Sequence, residues 1–113
     1  MKNILIISII SILIFSCSKD RGGSNTTVDC SLVPKSFITN VNPIVQGFCN
    51  TASCHATGST NGPGQLTNYT EVFTNRVAIR AAIAAGTMPK TSTLTTAEKN
   101  SFLCWIDSGA PNN

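Results

Sequence analysis

Two thiols and one imidazole lie close together in the segment 49–55, whose sequence is CNTASCH. His55 is the single histidine of the chain and directly follows Cys54, while Cys49 lies five residues earlier. Thiols form disulfides or bond covalently to a cofactor, and an imidazole ligates metal ions. We therefore expect cofactor attachment, metal ligation or a disulfide at this segment. A zinc site is disfavoured, because the adjacent Cys54 and His55 do not easily face one tetrahedral ion.

The N-terminus has the features of an export signal. Lys2 precedes an apolar run, 4–15, that has the length of a signal-peptide core and is short for a membrane span. The run ends in Ile-Phe-Ser-Cys17, which resembles a bacterial lipobox, in which the cysteine is acylated and becomes the mature N-terminus. The alternative is an ordinary secretory signal with an incidental cysteine. We expect a signal peptide over 1–16 and a lipid-anchored, flexible polar tether over 17–29.

The remaining residues, 30–113, suffice for one small domain. At this size an apolar core alone gives marginal stability, so a disulfide or a cofactor is expected. The net charge of +3 falls by one once Lys2 is removed, which is too small and too dispersed to indicate nucleic-acid binding. An exported chain also meets an oxidising compartment, where cysteines form disulfides or hold a cofactor.

The hydrophobic spacing predicts short helices and no strand. Apolar residues at i, i+3, i+4 and i+7 indicate a helix over 41–48, with Asn42 as N-cap and Pro43 as its first residue. A turn near 69–73 precedes a second helix over 76–85 that is capped by Asn75 and stopped by Gly86. The last helix begins with a capping box formed by Thr95 and Glu98 and ends at Gly109. We expect an all-α domain.

The buried face of the last helix is expected to consist of Phe102, Leu103, Trp105 and Ile106, with Cys104 on the opposite, polar side. Trp105 is expected in the core where the first and last helices cross, with Gly47 permitting their close approach.

Several segments of the chain, taken in the order in which they occur, resemble class I-like c-type cytochromes, in particular small bacterial lipoprotein forms. The match spans about 41–110: a helix leading into Cys54-His55, a Gly-Pro-Gly-Gln-Leu loop over 62–66, a late Met88-Pro89, and a final helix ending in Trp-Ile-Asp-Ser-Gly-Ala. The usual attachment signature has two residues between the cysteines, whereas this chain has four. In a regular helix, cysteines at i and i+5 lie about 140° apart, so 50–53 must leave helical geometry for both to reach one ring.

The resemblance implies a covalently bound haem c inside a small cytochrome c-like fold of three to four short helices. Cys49 and Cys54 would anchor the ring, or Cys54 alone by a single thioether. His55 would ligate the iron on one side and Met88 on the other. The carbonyl of Pro63 is the implied hydrogen-bond partner of the His55 ring. The alternatives for these residues are a Cys49–Cys54 disulfide with a surface histidine, a core role for Met88, and a simple turn at Pro63.

Two further expectations concern charge and the remaining cysteines. Arg76 and Arg80, with Tyr69, are candidate partners of the haem propionates, although solvated charges beside a core face are the commoner arrangement. With two cysteines used by the haem and Cys17 acylated, Cys30 and Cys104 remain to form one disulfide.

The expected function is that of a monohaem electron carrier, exported and lipid-anchored to a bacterial membrane, facing the periplasm or the cell surface. Its partners would be redox proteins and the membrane, with no nucleic acid, and the protein would be a monomer. With both axial positions filled it would be a carrier and not an enzyme. One alternative is a haem protein whose Met88 dissociates to admit a small ligand, as in a sensor or a peroxidase-like protein. Another is a haem-free lipoprotein stabilised by disulfides.

Overall fold

The computed structural model describes residues 27–113, which are helical and contain no strand. The expected all-α class is therefore confirmed for this part of the chain. The helices are α1 (37–49), α2 (Tyr69–Thr74), α3 (Arg76–Ala85) and α4 (Thr96–Asp107). Within the same residues, no helix is both long enough and apolar enough to cross a bilayer. The predicted signal peptide, 1–16, and the predicted acylation site Cys17 lie outside the described residues.

Helix α1 begins earlier than predicted. It consists of a π-helical turn (Phe37–Val41), one α-helical turn (Asn42–Ile44) and a second π-helical turn (Val45–Cys49). Ser36 is the N-cap and its hydroxyl accepts the Thr39 N–H at 3.3 Å, so the prediction of Asn42 as N-cap was wrong. Pro43 lies inside the helix, where it cannot donate the usual hydrogen bond, and the wide turns on either side rearrange the bonding around it.

Helices α2 and α3 separate where the sequence predicts. The Asn68 side chain caps α2 by accepting the Glu71 N–H at 3.1 Å. Asn75 is the N-cap residue of α3, as predicted, but its side-chain amide donates to the Glu71 carbonyl and forms no capping bond with α3. Helix α3 ends at Gly86, whose φ of 70° is the left-handed conformation that glycine adopts without strain. Ile79 and Ile83 of α3 are buried as expected.

Helix α4 is the centre of the fold, and packs against both α3 and the first turn of α1. The predicted capping box of Thr95 and Glu98 is present. Phe102, Leu103 and Trp105 are buried as expected, but Cys104 is fully buried too, contrary to its predicted position on a polar side. The reason is the N-terminal segment, which covers that side and bonds Cys30 to Cys104, with their Cα atoms 5.5 Å apart. The predicted disulfide is thus confirmed.

Aromatic rings fill the junction of α1, α2 and α4. The ring centre of Trp105 lies 5.3 Å from that of Phe37 and 5.9 Å from that of Phe102. Tyr69 and Phe37 pack edge to face, with their ring centres 5.0 Å apart. The indole N–H of Trp105 donates to the Pro111 carbonyl, and the Tyr69 hydroxyl to the Ala110 carbonyl, each at 2.9 Å. These bonds satisfy the polar atoms of two largely buried rings, as such rings require.

Gly47 does not have its predicted role. It is exposed, and a Cβ added there would meet no atom within 4 Å. The first and last helices instead meet through the turn Phe37–Val41.

Candidate functional site

A cavity of about 640 Å³ opens beside α3. Three parts of the chain line it: the end of α1 with the following loop, the inner face of α3, and the loop that leads to α4. Its apolar lining includes Phe48, Leu66, Ile79, Ile83 and Leu94. The predicted residues Cys49, Cys54, His55, Pro63 and Met88 all belong to the same lining. The volume falls in the range of cavities that hold cofactors and other small molecules.

The segment between the two cysteines leaves helical geometry, as the four-residue spacing requires. Helix α1 ends at Cys49, and the following residues form turns. The Cys49 carbonyl accepts the Thr51 N–H at 2.9 Å and also the His55 N–H at 3.0 Å. The Cys54 N–H in turn donates to the Thr51 carbonyl at 2.9 Å. The chain therefore folds back on itself and brings both cysteines and the histidine to one end of α1.

His55 is held at both its ring and its main chain. The side chain is 7% exposed, and its Nδ1 lies 2.8 Å from the carbonyl oxygen of Gly64. The main-chain oxygen of His55 accepts the Leu66 N–H, also at 2.8 Å. The carbonyl that meets the ring is that of Gly64 and not that of the preceding Pro63.

The hydrogen bond to Gly64 fixes which ring nitrogen of His55 is free. A carbonyl oxygen only accepts, so Nδ1 is the donor, and in the neutral imidazole Nε2 then has the lone pair. Among residues 27–113, no group forms a hydrogen bond with Nε2, and no buried side-chain nitrogen or oxygen lacks a partner. Nε2 therefore keeps accessible surface, and the imidazole is ready to bind a metal ion through it.

Cys49 and Cys54 are free, half-buried thiols. Burial raises the pKa of Cys49 to about 11, and the nearby Cys54 adds to the effect. A thiol with so high a pKa stays neutral at physiological pH, which suits the apolar wall on which it stands. The structure does not contain the alternative Cys49–Cys54 disulfide.

Met88 enters the cavity lining from the loop after α3, and Lys90 is the charged side chain that lines the cavity with it. Met88 is half-buried and Lys90 is exposed. The thioether is thus carried by a loop and not by a helix face.

The two arginines proposed from the sequence do not line the cavity. The Arg76 guanidinium lies 4.0 Å from the centre of the Phe73 ring and donates to the Phe73 carbonyl at 2.7 Å. Arg80 forms a double hydrogen bond to Asp107, at 2.6 and 2.8 Å, which lowers the pKa of that carboxyl group. Tyr69 is part of the aromatic junction described above. These side chains have partners within the protein.

The sequence did not predict that Glu71 holds the loop segment that precedes α2. Its carboxylate accepts the Thr67 N–H at 2.7 Å and the Thr67 hydroxyl at 2.9 Å, and it also accepts from the Gln65 amide. The main-chain bond from Thr67, followed by the Gln65 amide, lowers the pKa of Glu71 to about 2. The pattern Asn68-x-x-Glu71 has the spacing of a helix cap, and that signal could have drawn attention to the carboxylate.

Among the described residues, no group of three or more His, Cys, Asp or Glu side chains is arranged to hold a metal ion. Compared with protein-family models, with curated proteins and with solved structures, the chain has no match.

Proposed function

We propose that this cavity binds one haem c covalently and that the protein is an electron carrier. The observation that carries the proposal is that Cys49, Cys54, His55 and Met88 all line one cavity, although His55 and Met88 lie 33 positions apart in sequence. Two thiols, one imidazole and one thioether are the side chains that attach and ligate a haem of this type. When bound, haem iron supplies one-electron redox chemistry, and the protein controls its potential and its access to solvent.

The state of His55 fits a role as iron ligand. Its Nδ1–H donates to the Gly64 carbonyl, which holds the ring in one orientation and leaves the Nε2 lone pair available. A hydrogen bond of this kind also makes the imidazole a stronger donor to a metal. A surface histidine would need neither the burial nor the carbonyl partner.

The thiols and the thioether fit the same cavity. Cys49 and Cys54 are both free and both line the cavity, so both are available to a single ligand. Met88 adds a soft, neutral donor from a different part of the chain. The aliphatic side chains of the lining favour a neutral set of ligands.

For the carboxylates of the haem, Lys90 is better placed than Arg76 or Arg80. Lys90 lines the cavity, whereas Arg80 is paired with Asp107 and Arg76 lies on Phe73. An ammonium group at the exposed edge of the cavity can meet a carboxylate without leaving solvent.

The remaining parts of the proposal concern location and activity. Export, acylation at Cys17 and transfer of electrons to redox proteins follow from the N-terminal sequence together with the proposed haem. With His55 and Met88 both used as ligands, no position remains for a substrate, so we propose a carrier rather than an enzyme.

The test is a haem stain of the denatured protein after production in a host with a c-type maturation system. We expect a stained band for the wild-type protein and for the control Ser53→Ala, which alters a neighbouring residue of the same lining without removing a thiol. His55→Ala and Cys54→Ala should lose the stain. Cys49→Ala should keep a weaker stain if one thioether suffices. An unstained wild-type band would refute the proposal and favour a haem-free lipoprotein.

A further inference from the structure

We infer that Glu71 is the positioning residue for His55: it fixes the loop segment 64–66, which in turn holds the imidazole. The inference rests on the proposed function, because it concerns the ligand of the proposed haem. Glu71 itself does not line the cavity. Its influence passes through three hydrogen-bonded contacts, each of which the structure contains.

The first contact joins Glu71 to the segment that precedes α2. The carboxylate accepts two hydrogen bonds from Thr67, at 2.7 and 2.9 Å, and a further one from the side-chain amide of Gln65. Glu71 lies in the first turn of a helix that Asn68 caps, so its own position is set by α2. The carboxylate thereby fastens residues 65 and 67 to a rigid element.

The second contact extends from Gln65 to the other limb of the loop. The same side chain that donates to Glu71 accepts the main-chain N–H of Gly58 at 3.0 Å. The loop is thus tied across its width, from Gly58 to α2, by one side chain.

The third contact joins the fastened segment to His55. Gly64 and Leu66 flank Gln65 on either side; the Gly64 carbonyl meets the ring nitrogen, and the Leu66 N–H donates to the main-chain oxygen of His55, each at 2.8 Å. Gly64 has φ 101° and Gly58 has φ 80°. Glycines in this conformation bring no side chain to pack, so hydrogen bonds must supply the rigidity of this loop.

The consequence is specific to the imidazole. When the segment 64–66 is fixed, the Gly64 carbonyl keeps the proton on Nδ1 and makes Nε2 a stronger donor. When the segment is loosened, the hydrogen bond weakens and the imidazole donates less to the iron. The ferric state is then less stabilised, and the reduction potential rises.

Glu98 offers a matched control. It occupies the same third position of helix α4 and accepts from Thr95 in the capping box, at 2.8 Å from both the main-chain N–H and the hydroxyl. Removing either carboxylate weakens the start of one helix. Only Glu71 is connected to His55, so a general loss of stability and a specific effect on the imidazole can be told apart.

The experiment compares wild type, Glu71→Ala, Glu71→Gln and Glu98→Ala in the haem-loaded full chain. The readouts are the reduction potential and the ¹⁵N resonances of the His55 ring in the reduced state. We expect Glu71→Ala to raise the potential and to shift or split the ring resonances, and Glu98→Ala to change neither. Glu71→Gln keeps one acceptor oxygen and should lie between wild type and Glu71→Ala; it also decides the matter if Glu71→Ala does not fold.

The inference is overturned if Glu71→Ala, or Glu71→Gln in its place, leaves both the ring resonances and the potential at the wild-type values. It is also overturned if Glu98→Ala shifts them equally. If the wild-type chain carries no haem, the proposed function fails. The ¹⁵N resonances of the His55 ring, compared between haem-free wild type and the Glu71 variants, then still decide whether Glu71 positions His55.

Discussion

The two halves of the described chain are held together in different ways. Around α4, aromatic and aliphatic side chains pack against one another: Val41, Val72, Phe102 and Trp105 are all fully buried. Around the cavity, one face of α3 and the end of α1 stand opposite two loops. The first loop is held by hydrogen bonds between main chain and side chains, such as those from Asn61 to the carbonyls of Ser53 and Cys54. The half around α4 is closely packed, and the half around the cavity surrounds a space of about 640 Å³, although one cluster of buried residues extends through both.

The half around α4 and the half around the cavity therefore differ in the source of their stability. Packed apolar side chains stabilise the half around α4 whether or not a ligand is present. A ligand in the cavity would add apolar contacts to side chains of its lining, so we expect the half around the cavity to gain more stability from a ligand than the half around α4. Loss of the ligand should therefore affect the two halves unequally.

The largest effect is expected from His55→Ala. This change removes the proposed iron ligand together with the bond to Gly64, so covalent haem should be absent and most of the cavity half should lose its fixed structure. Haem staining would measure the first loss, and amide hydrogen exchange over residues 50–66 would measure the second. His55→Ala protein with wild-type haem content would show that the hollow half does not depend on this residue.

Removal of the disulfide should affect mainly the packed half. The bridge joins residues 74 apart in sequence, and its loss should destabilise the protein by about 4 kcal/mol through the entropy of the unfolded chain. We expect the double variant Cys30→Ala/Cys104→Ala to melt at a lower temperature while its visible spectrum stays as in wild type.

Two measurements would check the comparison between the halves. Thiol counting on denatured, unreduced wild-type holoprotein should find no titratable thiol, since two cysteines are bridged, two would be bonded to the proposed haem and Cys17 would be acylated. A changed visible spectrum in the double variant would show that the halves are not independent.

Met88→Ala should change the properties of the proposed haem and leave the packing around α4 as it is. Axial ligands move haem potentials over about 0.8 V, and we expect loss of the thioether to lower the potential by on the order of 100 mV. The variant should also bind CO. Leu94→Ala is the matched control, because it shortens another apolar side chain of the same lining without removing a donor atom. An unchanged potential in Met88→Ala would place the sixth ligand elsewhere, with Lys90 the nearest alternative.

Acid should weaken the loop that Glu71 fastens. Because the folded pKa of about 2 lies below the ordinary value of 4.5, Glu71 stabilises the fold above about pH 4.5 and loses this contribution as the pH falls toward 2. The difference in unfolding free energy between wild type and Glu71→Gln should therefore shrink over that interval. Denaturant titrations at a series of pH values would measure it; a difference independent of pH would contradict the assignment of the charge.

The smallest effect is expected from Arg80→Ala. Its ion pair with Asp107 is more than a third exposed on both sides, and such pairs contribute less than about 1 kcal/mol. The reduction potential should not change, because Arg80 does not line the cavity. Lys90→Ala is the comparison: if Arg80→Ala moves the potential more than Lys90→Ala does, the arginine meets the haem carboxylates after all.

The sequence predicted the features of the fold that depend on neighbouring residues. The break between α2 and α3, the stop at Gly86 and the capping box of α4 each rest on residues within one helical turn, and the structure contains all three. The start of α1 was misplaced because Pro43 favours a first turn, whereas wide turns let this proline lie inside a longer helix. The burial of Cys104 was missed because it depends on a segment 74 residues away.

The residues of the candidate site could be predicted from the sequence, but their hydrogen-bond partners could not. Residue type identified His55, the cysteines and Met88, whose chemistry is evident without coordinates. The carbonyl that meets His55 depends on the backbone angles of Gly64, and sequence alone does not give them. The partner of Arg80 lies 27 residues away on another helix, so its pairing with Asp107 is a tertiary outcome.

The Cys30–Cys104 bond has a topological consequence for proteolysis. It closes a covalent ring that contains α1, α2, α3, both cavity loops and every residue proposed to bind the haem. A protease that cuts once in the exposed stretch around Gly62 leaves the chain in a single covalent piece. Nicked molecules would run as intact protein on a non-reducing gel and separate into fragments only after reduction.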